Sequence, residues 1–101
     1  MTDRLAGKVA LITGGASGLG ANAAELMAKE GAKVVVADVA ADRGKAVADR
    51  LGSAGHFVKL DVTSEDNWKA AIQETVEKFG AIHVLLNSAG IGLSKTVEDI
   101  T

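Results

Sequence analysis

Short β-branched runs alternate along the chain with segments whose apolar residues recur at helical spacing. Such alternation is the mark of βαβ units and of a parallel sheet buried on both faces. Four runs predict strands, Lys8–Thr13, Lys33–Asp38, His56–Leu60 and Ile82–Leu86, each apolar or nearly so through its middle. After the first, Leu19, Ala23, Leu26 and Met27 fall on one helical face, and Gly31 is placed as a left-handed C-cap, which predicts a helix over Gly18–Glu30. The second predicted helix, Ala40–Gly52, carries a smaller stripe of Ala40, Gly44, Val47, Ala48 and Leu51, weakened slightly by its glycine. In the third, Thr63 and Asp66 have the spacing of a capping box; Trp68, Ile72, Thr75, Val76 and Phe79 share a face, and Gly80 closes the helix. No proline, repeat or low-complexity linker interrupts the series, so a single domain over 1–101 is expected.

Parallel crossovers are right-handed, which limits how these units assemble. If the chain steps outward twice and then crosses back, the strand order is 3-2-1-4, with the first two helices on one face and the third on the other. This predicts an α/β, doubly wound parallel sheet. Its switch point lies between the first and fourth strands, and ligands of open α/β sheets bind at the carboxyl ends of strands there.

Composition changes this picture mainly by exclusion. A formal net charge of −2, with basic residues scattered, gives no electrostatic reason to expect nucleic acid or an anionic membrane as partner. Without cysteine, neither a disulfide framework nor a thiolate metal site is possible. His56 and His83 begin different strands with no third ligand near either in sequence, so no metal site is expected. Met1-Thr2-Asp3-Arg4 has no apolar signal core and no run is long enough for a membrane span, which makes the cytoplasm the expected location.

The first strand leads directly into Thr13-Gly14-Gly15-Ala16-Ser17-Gly18-Leu19-Gly20, four glycines in eight residues. A turn from buried strand into helix needs unusual backbone angles, and a pyrophosphate reaches helix-terminal N–H groups closely only where no Cβ intervenes. Leu19 and the small Ala23 are expected to seat the helix on the sheet. Asp38 ends the second strand, about 20 residues beyond the loop, where a carboxylate accepts hydrogen bonds from both ribose hydroxyls of an adenosine and repels a 2′-phosphate. NAD is therefore expected over NADP. The competing reading of Asp38 is a cap on the next helix.

Taken together, Thr13-Gly14-x-x-x-Gly18-x-Gly20, Asp38, Asp61-Val62 and Asn87-Ser88-Ala89-Gly90, each following a strand, resemble the short-chain dehydrogenase/reductase family. The resemblance implies a Rossmann-type fold, here incomplete, and an NAD(H)-dependent oxidoreductase moving hydride between nicotinamide and an alcohol or carbonyl substrate. It implies that Gly14, Gly18 and Gly20 shape the cofactor loop, with Ser17 and Leu19 close to phosphate or ribose. Asp38 would bind the ribose, Asp61 would accept from the adenine amino group, and Val62 would frame the ring. Asn87, Ala89 and Gly90 would border the cofactor, Asn87 also tying the fourth strand to the first loop. Asp61 has a second reading as a cap on the third helix. Ser88 stands where the family usually has another Asn, and loses the amide's paired donor and acceptor.

Proton transfer in that family uses a Tyr and a Lys four residues later, together with an oriented Ser and Asn. This sequence has no tyrosine, so no catalytic residue is assigned; Ser94 and Lys95 lack the partner and the spacing. The ending Val97-Glu98-Asp99-Ile100-Thr101 and the apolar fourth strand, which would be left as an edge open to pairing, suggest the cofactor-binding half of a longer enzyme. The resemblance further implies a homo-oligomer. The alternatives are a stand-alone nucleotide-binding module without turnover and a structural fragment that self-associates through the fourth strand.

Overall fold

The computed structural model describes residues 5–14, 18–61 and 63–87. Its elements are β1 (Val9–Thr13), α1 (Gly18–Lys29), β2 (Lys33–Asp38), α2 (Ala41–Leu51), β3 (Gly55–Lys59), α3 (Glu65–Phe79) and β4 (Val84–Asn87), with a short 3-10 turn at Gly52–Ala54. All strand pairs are parallel and the sheet order is β3-β2-β1-β4, the expected doubly wound arrangement. In the central pair, Leu11 lies opposite Val35 and Thr13 opposite Ala37.

Continuous apolar sequence makes β1 and β2 the centre because parallel strands have no solvent face. Ala10, Ile12, Val34 and Val36 point into the layer covered by α1 and α2, while Leu11, Val35 and Ala37 point into the layer covered by α3. Each fully buried valine of β2 contributes about 1.5–3 kcal/mol of hydrophobic stabilisation. β4, at the sheet edge, is half-buried at every position.

Two helical faces differ from the sequence expectation. On α1 the buried residues are Gly20 and Ala24, flanked by Ala23, Met27 and Ala28, whereas Leu19 is 79% and Leu26 62% exposed. Leu19 therefore does not seat the helix on the sheet. Small residues carry that contact because they let the helix backbone approach the strands, and the two leucines are turned away from it. On α3, Ala71 and Thr75 are buried, with Trp68 and Phe79 packed beside them, and Ile72 and Val76 fall on the exposed side. The buried Thr75 hydroxyl donates to Ala71 O at 2.8 Å, so it carries no desolvation penalty into the core.

A third difference concerns how α3 begins. Its N-cap is Ser64, in extended backbone conformation, whose Oγ accepts from Asn67 N at 3.2 Å. Thr63, the residue expected to cap, lies one position earlier in the chain, and its hydroxyl donates to Asp61 Oδ1 instead. The predicted ends of α1 and α3 hold, closed by Gly31 and Gly80. Gly44 has a role that its helix propensity does not suggest: an added Cβ would overlap the Phe57 ring, so the missing side chain is what lets α2 lie on β3.

Candidate cofactor site

Parallel strand direction brings the residues singled out from four separate turns to one end of the sheet. Thr13, the last residue of β1, is paired with Ala37 on one side and Asn87 on the other, and Asp38 is paired with Lys59 of β3. Across that end the order is Asp61, Asp38, Gly14 and Asn87, each at or just beyond the end of its strand. Ser17, Val62, Ala89 and Gly90 lie outside the described residues.

At the β1 end, Gly14 has φ 70 and still donates its N–H to Ala37 O at 2.7 Å. The chain thus leaves the sheet in a left-handed conformation, which glycine adopts without the Cβ clash that penalises other residues. Helix α1 starts at Gly18 with no acidic residue in its first turn, so the positive end of its dipole is not offset by a local carboxylate. Among the described residues, a Cβ placed on Gly18 would meet nothing within 4 Å. Bare backbone, open space and a helix N-terminus at the end of a central strand are the physical requirements for receiving a pyrophosphate. Leu19 stands exposed beside that space, and Gly20 is buried against the sheet.

Asp38 Oδ1 accepts from Ala40 N at 2.9 Å, an Asx turn that orients the carboxylate at the end of β2. It is not the cap of α2, whose N-cap is Ala40 without a side-chain bond. One strand over, Leu60 N donates to Asp38 O at 3.1 Å, which fixes the β3 exit beside that of β2. Asp61 follows immediately. Its Oδ1 accepts from the Thr63 hydroxyl at 2.6 Å and from Thr63 N at 2.9 Å. The Thr63 hydroxyl, and to a lesser degree its N–H, hold the Asp61 carboxyl below the usual carboxylate range.

On the other flank, the tie expected from Asn87 falls on the last residue of β1: its Oδ1 accepts from Thr13 Oγ1 at 2.8 Å. The bonds of Thr63 to Asp61, of Asn67 to Asp61 and of His83 to Val9 escaped the sequence reading. Thr63, Asn67 and His83 are polar residues in a loop or first helical turn, and no periodicity distinguishes such a residue from an ordinary surface one. His83 lies at the opposite end of the sheet, where its Nδ1 accepts from Val9 N at 3.0 Å, and His56 bonds Glu74 of α3 at 2.7 Å. A cleft of about 430 Å³ between α1 and α2, lined by Glu25, Ala28, Lys29, Arg50 and Leu51, contains none of the residues gathered at the strand ends.

The family model for short chain dehydrogenases matches residues 8–101. The chain belongs to the short-chain dehydrogenase family. Over 99 residues it is 50% identical to a 3-alpha-(or 20-beta)-hydroxysteroid dehydrogenase of Mycobacterium bovis, a match covering 98% of this chain and 38% of the relative. It is 44% identical to a trans-4-hydroxycyclohexanecarboxylate dehydrogenase of Sinomonas cyclohexanicum, covering 98% of this chain and 42% of that one. Among solved structures, a 3-ketoacyl-(acyl-carrier-protein) reductase from Brucella melitensis, complexed with NADH, superposes with a TM-score of 0.79 at 42% identity over 80% of this chain and 33% of its own. This short-chain dehydrogenase sequence thus spans well under half the length of the relatives it matches. Among its described residues no helix is long and apolar enough to cross a membrane.

Proposed function

We propose that this chain is the cofactor-binding part of an NAD(H)-dependent oxidoreductase that moves hydride between nicotinamide and a small alcohol or carbonyl substrate. The observation that carries the reading is the pair of carboxylates, Asp38 and Asp61, at the exits of adjacent strands beside the Gly14 turn. In that placement Asp38 would take the ribose hydroxyls of an adenosine and Asp61 its adenine amino group. Gly14, Ser17, Gly18, Leu19 and Gly20 would cradle the pyrophosphate, Val62 would frame the adenine, and Asn87, Ala89 and Gly90 would line the far side. The bound nicotinamide would supply the hydride donor or acceptor, and proton-transferring groups would come from outside these 101 residues.

NAD is favoured over NADP because a carboxylate at Asp38 repels a 2′-phosphate, and the NADH complex of the Brucella reductase agrees with that preference. Fluorescence titration with NADH and NADPH tests it. Saturable NADH binding, weaker NADPH binding and loss of the NADH signal in Asp38→Ala are expected; equal affinity for both cofactors, or unchanged binding in the variant, would refute the assignment.

A further inference from the structure

The loop between β3 and α3 spends more hydrogen bonds on Asp61 than an exposed carboxylate needs. Water satisfies an exposed aspartate, and an unrestrained one samples several rotamers. Here Oδ1 takes both donors of Thr63, the hydroxyl at 2.6 Å and the N–H at 2.9 Å. The Asp61 backbone is fastened as well, its N–H donating to Asn67 Oδ1 at 3.1 Å. Asn67 is in turn held through its N and Nδ2, both within 3.2 Å of the capping Ser64 Oγ. The carboxylate is therefore anchored, through its main chain and one oxygen, to the first turn of α3.

We infer that Thr63 is a positioning residue for nucleotide recognition, committing Oδ1 of Asp61 to the loop so that Oδ2 is the oxygen offered to the adenine amino group. The inference rests on the proposed role of Asp61. Among the described residues, both bonds to this carboxylate fall on Oδ1, and Ser64 has taken over the helix cap, so Thr63 has no competing duty at α3. The same two donors favour the charged form, and an ionised carboxylate can only accept, which matches a ligand group that can only donate. Ordering the side chain before binding removes an entropic cost that binding would otherwise meet, an effect of about 3–10-fold in affinity for one immobilised side chain.

The test compares NADH with reduced nicotinamide hypoxanthine dinucleotide, in which a carbonyl oxygen replaces the adenine amino group, on the purified protein at its natural length. Thr63→Val removes the hydroxyl at nearly constant shape; Thr63→Ser keeps it; Asp61→Asn removes the charge. In Thr63→Val the Asp61 carboxyl carbon, followed by 13C NMR, should titrate nearer the ordinary aspartate range. NADH should bind about 3–10-fold more weakly while the hypoxanthine analogue changes little, so that discrimination between the two narrows, and Thr63→Ser should restore both readouts. If Asp61→Asn loses the discrimination but Thr63→Val retains it in full, the positioning role fails and the adenine assignment stands. If neither the unaltered protein nor Asp61→Asn distinguishes the two nucleotides, the adenine assignment fails and takes this inference with it. Equal weakening of both ligands in Thr63→Val would mark general damage to the loop and would also overturn it.

Discussion

The Thr13 hydroxyl, buried completely, donates to Asn87 Oδ1 at 2.8 Å and so joins β1 to β4 at the end of the sheet where the cofactor is proposed to bind. Thr13→Val removes that donor without changing shape and so deletes one buried hydrogen bond between the two strands. A loss of about 1 kcal/mol is expected by urea denaturation, with Thr13→Ser closer to the original. A midpoint unchanged by the valine would mean that the bond contributes nothing net.

Gly44 and Phe57 make a sharper case, because two effects oppose each other. Alanine would raise the helix propensity of α2 by about 1 kcal/mol, yet its methyl group would enter the Phe57 ring. Overpacking of that kind costs about 1–3 kcal/mol, so Gly44→Ala is expected to destabilise on balance. Combining it with Phe57→Leu should recover part of the loss, and strictly additive effects in the double-mutant cycle would show that the two sites are uncoupled.

At the other end of the sheet, His83 extends the β1–β4 pairing by one step, its N–H donating to Val9 O at 2.8 Å while its Nδ1 accepts from Val9 N. The bond requires a lone pair on Nδ1, hence the tautomer with its proton on Nε2. In His83→Ala the buried Val9 amide loses this acceptor, so its hydrogen exchange should speed up and stability fall by about 1–2 kcal/mol. Asparagine can set an oxygen near the position of Nδ1, and His83→Asn is expected to restore protection.

Asp61 gives a pH dependence whose sign is fixed by its bonds. Thr63 lowers the carboxyl in the folded chain relative to the unfolded one. Its contribution to stability is therefore full above the ordinary aspartate value of about 3.9 and is lost as the pH falls through the lower folded value. Stability of the protein and of Asp61→Asn, measured from neutral pH downward, should differ most above that range and converge below it; a gap that persists at the acid end would assign it to something other than ionisation.

Much of this architecture is legible in sequence because its causes are local or periodic. Short β-branched runs such as Val34-Val35-Val36, alternating with helical segments, read as strands covered on both faces, and right-handed crossover gives the helix faces once the order 3-2-1-4 is assumed. The glycine loop and the residues ending each strand are legible for the same reason, since a parallel sheet necessarily gathers those ends on one side. Helix faces were less well determined: Leu19 and Leu26 fit an apolar period, but how closely α1 could approach depended on Gly20 and Ala24, small residues that carry little weight in a hydrophobic pattern.

Polar partnerships were decided only in three dimensions. Ser64 caps α3 while Thr63 donates to Asp61, and nothing in the spacing chooses between adjacent hydroxyl residues. Nor could the sequence say that Gly44 faces Phe57 or that His83 reaches Val9, since those pairs meet only after β1, β3, β4 and α2 have packed. The sequence by itself determined the parallel strands and the end at which chemistry collects, because those follow from hydrophobic period and chain direction, while the order 3-2-1-4 was an assumption that the fold bears out. The tertiary structure decided which side chains touch, because hydrogen bonds and close packing depend on distances between segments that are far apart along the chain.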